Sequence, residues 1–194
     1  MRLEELLNQP TLDLKEICAH LDALEGPRRI AETVALTGAQ QARLYDAALG
    51  FRAMTLLDLV PATVPPMTGV PHEGRNSLLA FRFFAKVFYR PEEPSLRELW
   101  GYNRTSELVS TTVGPGYYVA SEKGGGELLV DYTRQPPTDL PGAPAMLPNS
   151  ARLSFFVYNQ TQDTLRGVSR HVCIGRASRH GRDLDNWFVL CRAD

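Results

Sequence analysis

The sequence predicts an α+β fold: N-terminal helices, then a curved antiparallel sheet or partial barrel of about five or six strands, covered by one or two helices. Three observations carry this. Apolar residues recur at helical spacing through residues 1–50. From Leu96 the period changes to two, with aromatic and β-branched residues between glycine-rich turns. A length of 194 residues, with 43% apolar and 22% charged, suits a single domain over 1–194 whose core needs no metal or disulfide.

The elements follow in order. Thr11 is placed to cap a helix to about Leu24, with Leu14, Ile17, Leu21 and Leu24 on one face. Gly26-Pro27 stops it and starts the next. Thr37 and Gln40 form a capping box for a helix to about Leu49, closed by Gly50. These form a helical layer over residues 1–50. Pro61, Pro65, Pro66 and Pro71 make residues 58–75 an extended connection. Asn76 to Arg90 fits two templates. Alternation would set Arg82, Phe84, Lys86 and Phe88 on one face, mixing charge with aromatics. Helical spacing groups Arg82, Lys86 and Arg90 opposite Leu79, Ala80, Phe83, Phe84 and Val87, so a helix is predicted.

The sheet-rich core spans 96–192. Its strands are predicted at Leu99–Tyr102, Leu108–Val113, Tyr117–Ser121 and Glu127–Thr133, with Gly114-Pro115-Gly116 and Lys123–Gly126 as turns. Residues 136–148 form a proline-rich loop. Asn149 or Ser150 caps a helix to about Ser169, carrying Leu153, Phe156, Val157, Leu165 and Val168. A last hairpin joins Val172–Ser178 to Leu184–Arg192. Symmetry about Arg182 sets Cys173 opposite Cys191, either as two buried thiols or as a disulfide. Cys173, Gly175 and Ala177 then share a face with Val189 and Trp187, while Ile174 joins Phe188 and Leu190. Small side chains beside large ones mean dense packing or a hollow walled by Trp187.

Composition narrows the function classes. Lys+Arg is 21 and Asp+Glu is 22, a net charge of −1, so nucleic acid is not the expected partner. Glu4 and Glu5 interrupt the N-terminal apolar run, and no stretch has membrane-spanning length, so a cytoplasmic protein without a membrane partner is expected. No P-loop, Gly-x-Gly-x-x-Gly, Gly-x-Ser-x-Gly or His-Glu-x-x-His occurs. His20, His72, His171 and His180 show no ligand spacing. No metal or cofactor is expected.

Asp131 lies in the apolar run Leu128–Tyr132. If buried, it is a candidate general acid or base; otherwise it faces solvent or pairs with an arginine such as Arg176. His171, at the passage into the last hairpin, is a second candidate base or else a helix cap. Tyr102, Tyr117, Tyr132, Tyr158 and Trp187 could wall a pocket for a largely apolar ligand, and are equally ordinary strand or helix residues. Arg82, Lys86 and Arg90 form a basic stripe that could meet a carboxylate or phosphate, or be a solvated face.

Leu99-Trp100-Gly101-Tyr102, the glycine-punctuated strands and a helix leading into the last hairpin Val172–Arg192 together resemble the lipocalin-like group of small antiparallel barrels. The resemblance covers 96–192 and implies an apolar small-molecule pocket. Glu98 stands where that group carries the glycine of its Gly-x-Trp, and no functional residue carries over. Three functions are therefore weighed. The first is binding of a small, mainly apolar molecule between sheet and helix, anchored by Asp131 or His171. The second is a cofactor-independent cyclase, isomerase or hydrolase using either as acid/base. The third is a protein-interaction module with a solid core.

Overall fold

The computed structural model describes residues 2–78, 82–93, 95, 97–105, 114–146 and 160–194. The strand predicted over Leu108–Val113, the first half of the helix predicted from Asn149 or Ser150, and Tyr158 lie outside them.

The N-terminal fifty residues fold as their periodicity dictates. They form α1 (Leu3–Leu7), α2 (Leu14–Ala23), α3 (Gly26–Thr33) and α4 (Gly38–Ala47). Asp13, not Thr11, caps α2, its carboxylate accepting from the Lys15 and Glu16 amides at 2.9 and 3.2 Å. The Thr37–Gln40 capping box forms, and Gly50 takes the left-handed conformation (φ 68°) after α4. Leu3, Leu7, Ile17, Leu21, Leu36 and Leu44 are buried against Val172, Ile174, Val189 and Cys191. Each such side chain contributes about 1.5–3 kcal/mol of transfer free energy.

Eight strands follow the short α5 (Leu56–Leu59): β1 (Val70–Asn76), β2 (Phe83–Tyr89), β3 (Glu98–Arg104), β4 (Tyr117–Gly124), β5 (Glu127–Asp131), β6 (Thr161–Gly167), β7 (Val172–Arg179) and β8 (Arg182–Arg192). Each pairs antiparallel with the next, and β8 pairs with β1, so the sheet closes into a barrel rather than stopping at five or six strands.

Two predicted helices are strands. The described residues of the first, Asn76–Arg90, include the end of β1 and all of β2. Phe84, Lys86 and Phe88 face the interior, while Val87 and Tyr89 pack outside against Trp100, Tyr117 and Leu140. Burial on both faces fills both sides of the strand with apolar residues, and that pattern imitates a helix. The second is the described end of the Ser150–Ser169 helix, which is β6. It joins β5 to β7 and turns Asp163 and Leu165 inward.

The last hairpin turns through His180 and Gly181, both at positive φ, with Arg179 opposite Arg182 and a bulge between Arg176 and Ser178. The resulting register pairs Cys173 with Leu190 and Val172 with Cys191, one residue from the symmetric expectation. A one-residue slip exchanges the faces. Cys173 therefore lies inside the barrel, its thiol pushed up to about 12 by burial, and Cys191 lies outside under the helices; both are free.

The interior is packed by laying rings on glycines. A Cβ at Gly175 would stand 2.2 Å from Phe188, and one at Gly101 would stand 2.4 Å from Tyr118. Met54, Leu59 and Val60 fill the end where β2 and β8 finish. The Arg192 guanidinium donates to the Asp58 carbonyl at 2.6 Å, and Arg90 to that of Pro61 at 3.4 Å, fastening this plug. The strand ends Asn76, Arg104, Asp131 and Thr161 lie at the opposite end. Among the described residues no helix is long and apolar enough to cross a membrane.

His72 on β1 is enclosed, edge-on to Phe88 at 5.0 Å, and desolvation pushes its pKa down to about 3. The unfolded imidazole, near 6.5, takes a proton that the folded one refuses. Stability should therefore be complete above about pH 6.5 and fall toward pH 3, by about 1.4 kcal/mol per pH unit from this group. Urea titrations between pH 7 and 4 should show that slope reduced by about one proton in His72→Gln. Equal slopes would mean that the folded state protonates His72 freely.

Candidate functional site

Alternation along β2 brings Lys86 into the barrel between Phe84 and Phe88. Its register partner on β3 is Asn103, and Tyr132 follows the end of β5. Asp163 on β6 stands beside Val130 and Ala177. The four side chains meet. Lys86 Nζ lies 3.0 Å from Asp163 Oδ2 and donates to Asn103 Oδ1 at 3.2 Å and to the Tyr132 hydroxyl. Asn103 Nδ2 donates to the Tyr132 hydroxyl at 3.0 Å and to the Gly116 carbonyl at 3.3 Å. Rings complete the enclosure: the ammonium is 4.8 Å from the Tyr132 centroid, 5.0 Å from Tyr118, 5.1 Å from Phe188 and 5.8 Å from Phe84.

The Lys86 and Asp163 side chains are only 2% and 6% exposed. Desolvation pushes Lys86 down and Asp163 up, toward their neutral forms. Their mutual attraction, and a hydrogen bond from Tyr132 to Asp163, oppose this. Burying two charges costs several kcal/mol each before their attraction returns any of it, and an apolar pair of similar volume often does as well or better for stability. An ion pair in a core otherwise lined by Leu99, Leu128, Val130, Leu165 and Leu190 is therefore a candidate for function rather than for folding.

Of the residues singled out by sequence, Tyr132 and Lys86 belong to this cluster, Lys86 as the inward member of what reads as a basic stripe. Asp131 is buried on the outer face, its carboxylate accepting from the Thr133 amide at 2.9 Å and hydroxyl at 2.7 Å. Its partner is thus its own turn, not Arg176. His171 lies at the plugged end, 3.1 Å from the Arg192 guanidinium and 3.5 Å from the Asp194 carboxylate. Burial, Arg29 and Arg192 hold its pKa below the usual imidazole range. Tyr102 and Tyr117 are outside the barrel, with ring centroids 5.9 Å apart. Burial raises the Tyr117 phenol to about 12, and its hydroxyl donates to the Pro144 carbonyl. Trp187 also faces outward, beneath the Arg176 guanidinium at 5.2 Å, and walls no interior space. The basic stripe dissolves, because Arg90 fastens the plug and Lys86 points inward.

Asp163 is not marked by the sequence, and Lys86 reads there only as one member of a basic stripe, although one signal sets it apart. The chain carries three lysines, Lys15, Lys86 and Lys123, among its 21 basic residues, and Lys86 alone falls in an aromatic run. Asp163 offers no such signal within its polar neighbourhood. Among the described residues no group of three or more His, Cys, Asp and Glu could hold a metal. Comparison with protein-family models, with curated proteins and with solved structures finds no match.

Proposed function

We propose that the barrel binds a small, mainly apolar molecule, admitted at the end opposite the plug, with a neutral polar head at Lys86, Asp163, Tyr132 and Asn103. The observation that carries this reading is a fully enclosed, hydrogen-bonded ion pair inside an aromatic and aliphatic barrel. The head must be neutral because the site already holds one charge of each sign. An anion would meet Asp163, and a cation would meet Lys86. A carbonyl or hydroxyl can accept from the ammonium or phenol, or donate to the carboxylate. A closed antiparallel barrel of eight strands is also the architecture of the lipocalin-like group, which makes such a pocket reasonable without deciding it.

A solid-core interaction scaffold is the second reading, favoured by the rings of Phe188 and Tyr118 seated on Gly175 and Gly101. One titration separates the two. Protein labelled with ¹⁵N-lysine is titrated with N-phenyl-1-naphthylamine, 2-undecanone and farnesol while the lysine side-chain resonances are followed. Binding inside the barrel should move the Lys86 signal saturably for at least one of these compounds and leave those of exposed Lys15 and Lys123 in place. An unmoved Lys86 signal with all three compounds would favour the solid core.

A further inference from the structure

We infer that Lys86 is a nucleophile toward apolar aldehydes, condensing with them reversibly to an imine inside the barrel; this rests on the binding reading above and names its ligand class. The amine has an acid–base partner in place, since Asp163 Oδ2 stands 3.0 Å away and the Tyr132 hydroxyl and Asn103 Oδ1 hold the same nitrogen. Moving the proton of the ion pair onto Asp163 leaves a neutral amine, and burial favours that form.

The Nζ lone pair then forms a bond to the carbonyl carbon while the C=O π pair moves to oxygen. A proton passing from nitrogen to that oxygen gives the carbinolamine. Its C–O bond breaks as Asp163 delivers its proton, releasing one water and leaving a C=N⁺–H iminium beside the Asp163 carboxylate. No oxidant or reductant takes part. The product keeps the environment of the ammonium it replaces: the same carboxylate as counter-charge, and the ring faces of Tyr118, Tyr132 and Phe188 within 5.1 Å. The same rings keep hydrolytic water from the new bond. An aldehyde must approach Nζ through an apolar interior, which favours an alkyl or aryl aldehyde over a sugar.

The chain's few amines make the test direct. The wild-type protein is treated with decanal or 2-naphthaldehyde and sodium cyanoborohydride, and adducts equal to the aldehyde mass less one oxygen are mapped by peptide mass spectrometry. Modification of Lys86 ahead of exposed Lys15 and Lys123 is expected, the neutral fraction of an amine rising roughly ten-fold for each unit by which its pKa is lowered. Prior saturation with 2-undecanone should suppress it, and Lys86→Arg should remove the Lys86 adduct. Adducts on Lys15 and Lys123 with Lys86 untouched would overturn the inference. If any of the three compounds still moves the Lys86 resonance in that case, binding stands and only the imine chemistry falls. If none does, both fall.

Discussion

Lys86→Met should destabilise the protein by about 3–5 kcal/mol, because it leaves the Asp163 carboxylate buried without its cation. Asp163→Leu should cost a similar amount by stranding the ammonium. The side chains are too enclosed for water to replace the missing partner, at 2% and 6% exposure. Tyr132 and Asn103 solvate the pair only in part. The double variant Lys86→Met/Asp163→Leu removes both charges, fills the volume with hydrocarbon and should recover most of the loss. Urea denaturation of the four proteins checks this. The recovery separates a pair retained for its chemistry from one required for folding. A double variant as unstable as either single one would show that the barrel needs the ion pair.

Gly175→Ala should cost about 3 kcal/mol, toward the upper end of what overpacking does. The added methyl would stand 2.2 Å from Phe188 Cζ and 2.5 and 2.8 Å from the next two ring carbons, so the ring must leave its place. It has little room. Phe84 meets it edge-on at 6.0 Å, and the Lys86 ammonium lies 5.1 Å from its centroid. A second substitution that shortens the ring, Gly175→Ala/Phe188→Leu, should return part of the loss, and thermal unfolding of the three proteins measures it. A Gly175→Ala protein as stable as wild type would mean that Phe188 does not rest on the β7 backbone.

Much of this architecture is legible in the residues, and most of the failures share a cause. Amphipathic spacing with explicit capping signals marks the N-terminal helices, because one face of each meets solvent. Leu99–Tyr102, Tyr117–Ser121 and Glu127–Thr133 also read as strands, from aromatic and β-branched residues between glycine turns, and β3, β4 and β5 form there. In β2 both faces are buried, so apolar residues occupy both, and the lone charge inside reads as a polar stripe. Alternation had set Phe84, Lys86 and Phe88 together. That mixture of charge and ring is what a simple polar/apolar rule rejects. In β6 the inward Asp163 alternates with outward Gln162 and Thr164, and nothing local says which polar residue is enclosed.

In the sequence Asp131 stands out and Asp163 does not. An acid between apolar neighbours is conspicuous, but in a strand covered on both sides those neighbours do not report which way it points. The hairpin register was missed for a different reason. The hairpin turns on the two residues His180 and Gly181, with Arg179 opposite Arg182, and not about Arg182; the bulge between Arg176 and Ser178 shifts the pairing by two and keeps that alternation, so Cys173 lies inside and Trp187 outside.

The most direct measurement is a crystal structure of the protein saturated with 2-undecanone. The ketone oxygen should lie within hydrogen-bonding distance of Lys86 Nζ or the Tyr132 hydroxyl, with its alkyl chain among the rings that enclose them. A ketone bound only on the outer surface, with the Lys86–Asp163 pair enclosed and unchanged, would contradict the assignment of the barrel interior as the binding site.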